Sequence, residues 1–174
     1  MEPIISVVMP VYNGDKYLQE AIESILNQTE GDFEFIIIND GSTDDSPALI
    51  DKYRELDSRI KVITQENKGL ISSLNTGIDE AKGKYIARMD ADDVSLPERF
   101  RTQLEYMEKN SKIGACGSWA KVFDEGRNHL IKHQAGRDIQ DCEVLTATMV
   151  MNGISSWAVT ARNVPYESKN MCTM

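Results

Sequence analysis

Long apolar runs are missing from this sequence: none approaches the roughly 20 residues that would span a bilayer, and the composition is that of an ordinary soluble globular chain. The opening MEPIISVVMP carries Glu2 where a secretory signal would be basic, and Ser6 and Pro10 interrupt its apolar stretch, so no targeting segment is expected. Cysteine is scarce. Cys116, Cys142 and Cys172 are odd in number and widely spaced, which fits neither a disulfide framework nor a four-ligand zinc site. They read as reduced thiols of a cytoplasmic protein, with Cys116 a small core residue. Basic residues are too few to balance the acids: 19 Lys+Arg against 28 Asp+Glu give a formal charge of −9. The averaged field repels phosphate backbones, which argues against a general nucleic-acid binder. An anionic ligand would need a bound cation, placed arginines or helix N-termini to overcome that field. Glycine-rich phosphate loops, dinucleotide fingerprints, repeats and linkers are also lacking.

What is present is an alternation of short Ile/Val-rich runs with helix-period segments over 174 residues, enough for one domain. This is the pattern of βα units feeding a mostly parallel sheet with helices on both faces, an α/β fold. Strands are predicted at 4–9, 35–38, 60–64, 85–89 and 113–119. A helix is predicted after the first strand, with Tyr17, Leu18, Ala21, Ile22, Ile25 and Leu26 on one face and Glu20, Glu23 and Asn27 facing out, and others at 46–56, 70–81 and 97–109, the last opened by Pro97. Beyond residue 119 the regularity fades: 121–124 and 129–132 predict a hairpin, 138–146 a helix, and 158–162 a strand.

In open α/β sheets, ligands bind outside the carboxyl ends of the strands. That rule selects Pro10-Val11-Tyr12-Asn13, Asp40-Gly41-Ser42, Glu66-Asn67-Lys68-Gly69 and Asp90-Ala91-Asp92-Asp93. Converging carboxylates on an acidic protein are costly unless a cation or a donor-rich ligand accepts their lone pairs. An Asp-x-Asp pair alone is weak, since about one is expected by chance. Its position directly after an apolar strand sharpens it, and hard oxygen ligands there suit Mg²⁺ or Mn²⁺. The competing reading is a solvated acidic turn ahead of a helix. An EF-hand fails, because Ser95 occupies its glycine position. Asp90-x-Asp92 also resembles the nucleophile motif of haloacid-dehalogenase-like phosphotransferases, although that motif ends the first strand of its fold and three strand–helix units precede it here.

Taken together the loops resemble the family 2 glycosyltransferases of the GT-A nucleotide-sugar-binding fold. The residues that carry the resemblance are Val7-Val8-Met9-Pro10-Val11-Tyr12-Asn13, Ser24-Ile25-Leu26-Asn27-Gln28-Thr29, Ile38-Asn39-Asp40-Gly41-Ser42-Thr43-Asp44, Asn67-Lys68-Gly69 with Asn75-Thr76-Gly77, and Met89-Asp90-Ala91-Asp92-Asp93. The form of the last motif, with Leu96-Pro97-Glu98-Arg99-Phe100 after it, is similar to bacterial enzymes that build surface polysaccharides.

The resemblance implies a donor site for a nucleoside-diphosphate sugar, a UDP-sugar, formed by Pro10, Tyr12, Asp40, Asn67, Asp90 and Ala91. Asp40 would accept from the imide N–H of uracil, with Pro10 and Tyr12 closing on the base. Asp92, with Asp90, would hold a Mn²⁺ or Mg²⁺ bridging the two phosphates, and Asp93 and Arg88 would support them. The implied reaction is inverting transfer to a saccharide or lipid-linked acceptor, in the cytoplasm or at the inner face of the membrane. For single members other readings stay open: Tyr12 as a strand-end packing residue, Asn75 as a helix brace, Gly41 as a turn glycine, Lys68 as a solvated side chain, and Trp119 and Trp157 as core.

The chain departs from the family pattern on the acceptor side. The carboxylate base expected downstream of the metal motif is not found. Glu167 is the only acid among the last thirty residues, and Ser156-Trp157 stands where a His-Pro pair is common. The expectation is a single domain, 1–174, with a nucleotide-sugar-binding part at 1–120 and a partial, truncated acceptor side at 121–174. A non-catalytic nucleotide-sugar-binding fragment is the alternative to an active transferase.

Overall fold

The computed structural model describes residues 2–118, 120–123, 130–134, 138–140 and 159–163. The first half winds as expected: β1 (Ile5–Val11), α1 (Asp15–Leu26), β2 (Phe33–Asp40), α2 (Ser46–Leu56), β3 (Ile60–Gln65), α3 (Leu70–Glu80), β4 (Tyr85–Arg88), α4 (Arg99–Lys109) and β5 (Ile113–Gly117). Later come β6 (Ala120–Phe123), β7 (Leu130–Gln134), β8 (Asp138–Gln140) and β9 (Val159–Arg162).

Every residue of β1 and β2 is buried, which is why neither strand alternates in sequence. The two faces divide the side chains by parity. Ile5, Val7, Met9 and Val11 of β1, with Phe33, Phe35 and Ile37 of β2, pack beneath α1, α2 and α4. Val8, Ile36 and Ile38 face the other way and meet Leu74 of α3. On that side Gly77 is a packing glycine: a Cβ there would lie 2.4 Å from a Val8 methyl and 2.7 Å from Ile38 Cδ1.

The main sheet runs β3-β2-β1-β4-β9-β5-β8. β1 pairs in parallel with β2 on one side and β4 on the other, so the chain reverses its direction of winding at β1. This is the switch point at which open sheets bind ligands. β9 enters antiparallel between β4 and β5, and β8 pairs antiparallel with the far edge of β5. The parallel character therefore belongs to β3-β2-β1-β4, and the remainder is mixed.

Two expectations require correction. Residues 138–140 form a strand rather than the start of a helix, because β5 offers them an edge whose ladder outweighs local helix preference; the rest of that predicted helix lies outside the described residues. α4 begins at Arg99, not at Pro97, whose carbonyl instead accepts the Thr29 N–H at 2.9 Å. The hairpin is present as β6 paired with β7, and Cys116 is buried. Trp119, Cys142, Ser156, Trp157, Glu167 and Cys172 lie outside the described residues.

Candidate functional site

Four loops leave the carboxyl ends of β1 to β4, and side chains at the ends of β1 and β2 complete the backbone hydrogen bonding of neighbouring loops. After β1, Asn13 adopts a left-handed backbone with φ of 49°. Its N–H donates to Ser42 Oγ at 3.1 Å, and its Oδ1 accepts the Thr43 N–H at 2.8 Å. The first N–H groups of α1, which no intrahelical carbonyl can satisfy, are taken by the β2–α2 loop. Gly14 N–H donates to Ser46 Oγ at 3.0 Å and Asp15 N–H to Asp44 Oδ2 at 3.1 Å. Burial works to raise the Asp44 pKa, but hydrogen bonds from the Asp15 N–H and from Ser46 hold it below its ordinary value.

Asp40 is the centre of the next layer. It is 3% exposed, and its carboxylate accepts from Gln65 Nε2 at 2.7 Å, the Lys68 N–H at 3.0 Å and the Gly69 N–H at 2.8 Å. Burial pushes its pKa up, but the donors win and hold it below the ordinary carboxylate value. The side chain is thus kept ionised as an acceptor. Gln65 is itself fixed, donating to Ser73 Oγ at 3.2 Å and accepting from Thr76 Oγ1 at 3.2 Å. Gly41 has a φ of 74°, and a Cβ on it would come within 2.8 Å of the Asn67 nitrogen. It serves both the turn and the close approach of two loops.

The acidic loop after β4 lies on the opposite flank of β1. Ala91 Cβ approaches Gly14 closely enough that a Cβ there would sit at 3.6 Å, so the β4 loop packs on the β1 loop. Arg88 donates to Asp90 Oδ1 from Nε at 3.2 Å and Nη2 at 3.0 Å. Asp92 is exposed and Asp93 half-buried. Burial, then the charges of Asp90 and Asp92, push the Asp93 pKa up to about 6 against the pull of Arg99 and Arg88. The loop therefore carries more negative charge than its arginines neutralise, which is the condition for holding a cation. Among the described residues no three His, Cys, Asp or Glu side chains form a ready metal cage. Such a cation would take few carboxylates and complete its shell with oxygens from water or a ligand, as Mg²⁺ does.

The expected site residues fall at the carboxyl end of the parallel strands. Pro10 ends buried in β1, Tyr12 stands 55% exposed beyond it, and Asn67 is exposed beside Gly41. Lys68 contributes its backbone N–H while its side chain is exposed, and Asn75 is exposed on α3. Sequence reasoning gave no role to Gln65, Gln28 or Arg99. Arg99 is buried behind the acidic loop, donating from Nη2 to the Arg88 carbonyl at 3.2 Å, and burial lowers its pKa to about 10. In the sequence Arg99 stands only as a member of the Leu96-to-Phe100 stretch, two residues after Pro97.

The glycosyl transferase family 2 model matches residues 6–159. The chain belongs to that family. An uncharacterized glycosyltransferase of Haemophilus influenzae is 43% identical over 133 residues, covering 76% of this chain and 41% of that protein. Among solved structures, residues 1–349 of S. aureus TarS in complex with UDP align with a TM-score of 0.60 at 24% identity, over 74% of this chain and 38% of that one. A mannosyltransferase of Pyrobaculum calidifontis, in complex with GDP-Man and Mn²⁺, aligns with a TM-score of 0.60 at 21% identity, over 66% of this chain and 35% of that one. The fold is GT-A. This family 2 chain spans less than half the length of these relatives. Among its described residues no helix is long and apolar enough to cross a membrane.

Proposed function

We propose that this family 2 chain binds a UDP-sugar at the β1 switch point, with a divalent cation, and transfers the sugar with inversion to a saccharide or lipid-linked acceptor in cell-surface glycan synthesis. The observation that carries this reading is the placement of an ionised, backbone-braced Asp40 on one flank of β1 and an under-neutralised acidic loop on the other. A nucleoside diphosphate needs both: an acceptor for the base and a counter-charge for the phosphates.

Asp40, held ionised by Gln65 and by the Lys68 and Gly69 N–H groups, would accept the imide N–H of uracil. Tyr12, exposed at the end of β1, offers a ring to the base, and Pro10 and Asn67 complete the cradle. Asp90, oriented by Arg88, and Ala91 border the ribose, and Asp92 with Asp90 would hold Mn²⁺ or Mg²⁺. The cation, when bound, neutralises the diphosphate as it leaves. The relatives lend support: TarS is seen with UDP, and the mannosyltransferase with GDP-Man and Mn²⁺. The base that deprotonates the acceptor is assigned to none of the described residues. A cytoplasmic site, in peripheral contact with the inner face of the membrane, suits a lipid-linked acceptor.

A calorimetric titration of UDP with Mn²⁺, repeated in EDTA and with GDP, tests the reading. Metal-dependent binding of UDP in preference to GDP is expected. Absence of binding by either nucleotide, or binding indifferent to EDTA, overturns it.

A further inference from the structure

We propose that Gln28, just past the end of α1, is a positioning residue that fixes the conformation of the acidic loop for cation and donor binding, an inference that rests on the donor-site reading above. Gln28 is 7% exposed and every polar atom of its amide is engaged. Its Nε2 donates to the Ser24 carbonyl at 3.1 Å, Ser95 Oγ at 3.0 Å and the Leu96 carbonyl at 2.8 Å. Its Oε1 accepts the Phe100 N–H at 3.1 Å. The last bond answers a need of α4: its N-cap residue, Glu98, makes no side-chain cap, so the amide of the second helical residue would otherwise lack an acceptor. A glutamine 72 residues upstream supplies it.

The neighbours of Gln28 act on the same segment. Ser24 Oγ accepts the Ser95 N–H at 3.0 Å, and Thr29 donates to the Pro97 carbonyl from its N–H at 2.9 Å and its Oγ1 at 3.2 Å. Residues 95–100 are thereby held at four points by one helix end. Apolar packing anchors only the far end of this stretch, through buried Phe100 against Phe33; ahead of it Val94 is 46% and Leu96 75% exposed, so there the hydrogen bonds make the hold. At its other end the loop leaves β4, which pairs with β1. Asp90, Asp92 and Asp93 therefore sit between two fixed ends, one the sheet and the other the α1 tether. Arg88 orients Asp90 from the β4 end of the loop, and the α1 tether adds the restraint at its other end. The Ser24-to-Thr29 motif thus acts on the metal loop, not on a ligand directly.

The test uses the full chain carrying Gln28→Leu or Ser24→Ala, with hydrogen exchange over 90–97 and calorimetry of UDP with Mn²⁺ and with EDTA. In Gln28→Leu, exchange in 90–97 rises while 65–70 stays as in the wild type. The Mn²⁺-dependent affinity for UDP falls about 10- to 100-fold, the range for outer-shell partners of a metal site, and the EDTA-resistant affinity holds. Ser24→Ala leaves the Gln28 bonds in place, removes the acceptor for Ser95 N–H together with a local bond to the Ala21 carbonyl, and gives the same pattern at smaller size, which keeps the test decisive if Gln28→Leu does not fold. Variants that bind Mn²⁺ and UDP as the wild type does, or that lose both affinities equally, overturn the proposal. A wild type that binds no UDP with Mn²⁺ refutes the donor-site reading and this inference with it.

Discussion

The Gly69 N–H donates to Asp40 Oδ2 at 2.8 Å, joining the end of β2 to the residue before α3 across 29 positions of chain. Together with the Lys68 N–H at 3.0 Å and Gln65 Nε2 at 2.7 Å, it makes Asp40 the point where β2, β3 and α3 meet. The same carboxylate that would read the base is a structural keystone.

Replacing Asp40 therefore affects stability and binding together. Asp40→Asn keeps the shape but turns an NH₂ group toward backbone N–H donors, and loss of a hydrogen bond to a buried charged group costs about 2–3 kcal/mol. Urea denaturation should report a loss of that size, accompanied by loss of UDP binding. A variant as stable as the wild type would show that the Lys68 and Gly69 amides find other acceptors.

Asp92 behaves in the opposite way. It is exposed, and its charge works against Asp93. Asp92→Ala should lower the Mn²⁺-dependent affinity for UDP by about 100-fold or more. Its melting temperature in EDTA should stay within about 2 °C of the wild type or rise, as surface substitutions do. Unchanged Mn²⁺-dependent binding in a calorimetric titration would remove Asp92 from the metal site.

Asp93 gives a pH dependence whose sign follows from its environment. Its folded pKa of about 6 lies above the ordinary 3.8, so the folded state favours the protonated form. The stability this group contributes is fully present below pH 3.8 and is lost as pH rises through about 6. Asp40, Asp44 and Glu34 have lowered pKa values, remain ionised in both states above pH 5.5, and leave that window flat. Metal-free protein should lose about 1 kcal/mol between pH 5.5 and 7.5, and Asp93→Asn should remove that component. Chemical denaturation across this range in EDTA checks it; identical pH profiles for the two proteins would contradict it.

The strands and helices up to residue 117 were legible because burial on both faces writes continuous apolar runs, and α1 writes its period plainly through Leu18, Ala21, Ile22 and Ile25. The site was legible because polar residues follow those runs directly. What escaped was long-range. Nothing local marks β9 as the strand that enters between β4 and β5, since its ladder partners lie about 75 and 44 residues upstream. Gln28 and Gln65 are neutral amides whose importance lies in what they reach, and a hydrogen bond across 72 residues leaves no periodic trace in sequence.

Gly77 carries the last prediction, because it links the core to the site. A Cβ there meets Val8 at 2.4 Å and Ile38 at 2.7 Å. Val8 is 1% exposed and β-branched, so it cannot turn aside, and α3 must move instead. Gly77→Ala gains about 1 kcal/mol of helix propensity but overpacks at about 1–3 kcal/mol, so the net change in urea should be destabilising or near neutral. Displacement of α3 also draws Gly69 away from Asp40. UDP affinity should therefore fall even though residue 77 faces the sheet and not the loops. If Gly77→Ala is as stable as the wild type and binds UDP equally well, α3 is free to shift without disturbing Asp40, and the coupling between that helix and the base cradle is absent.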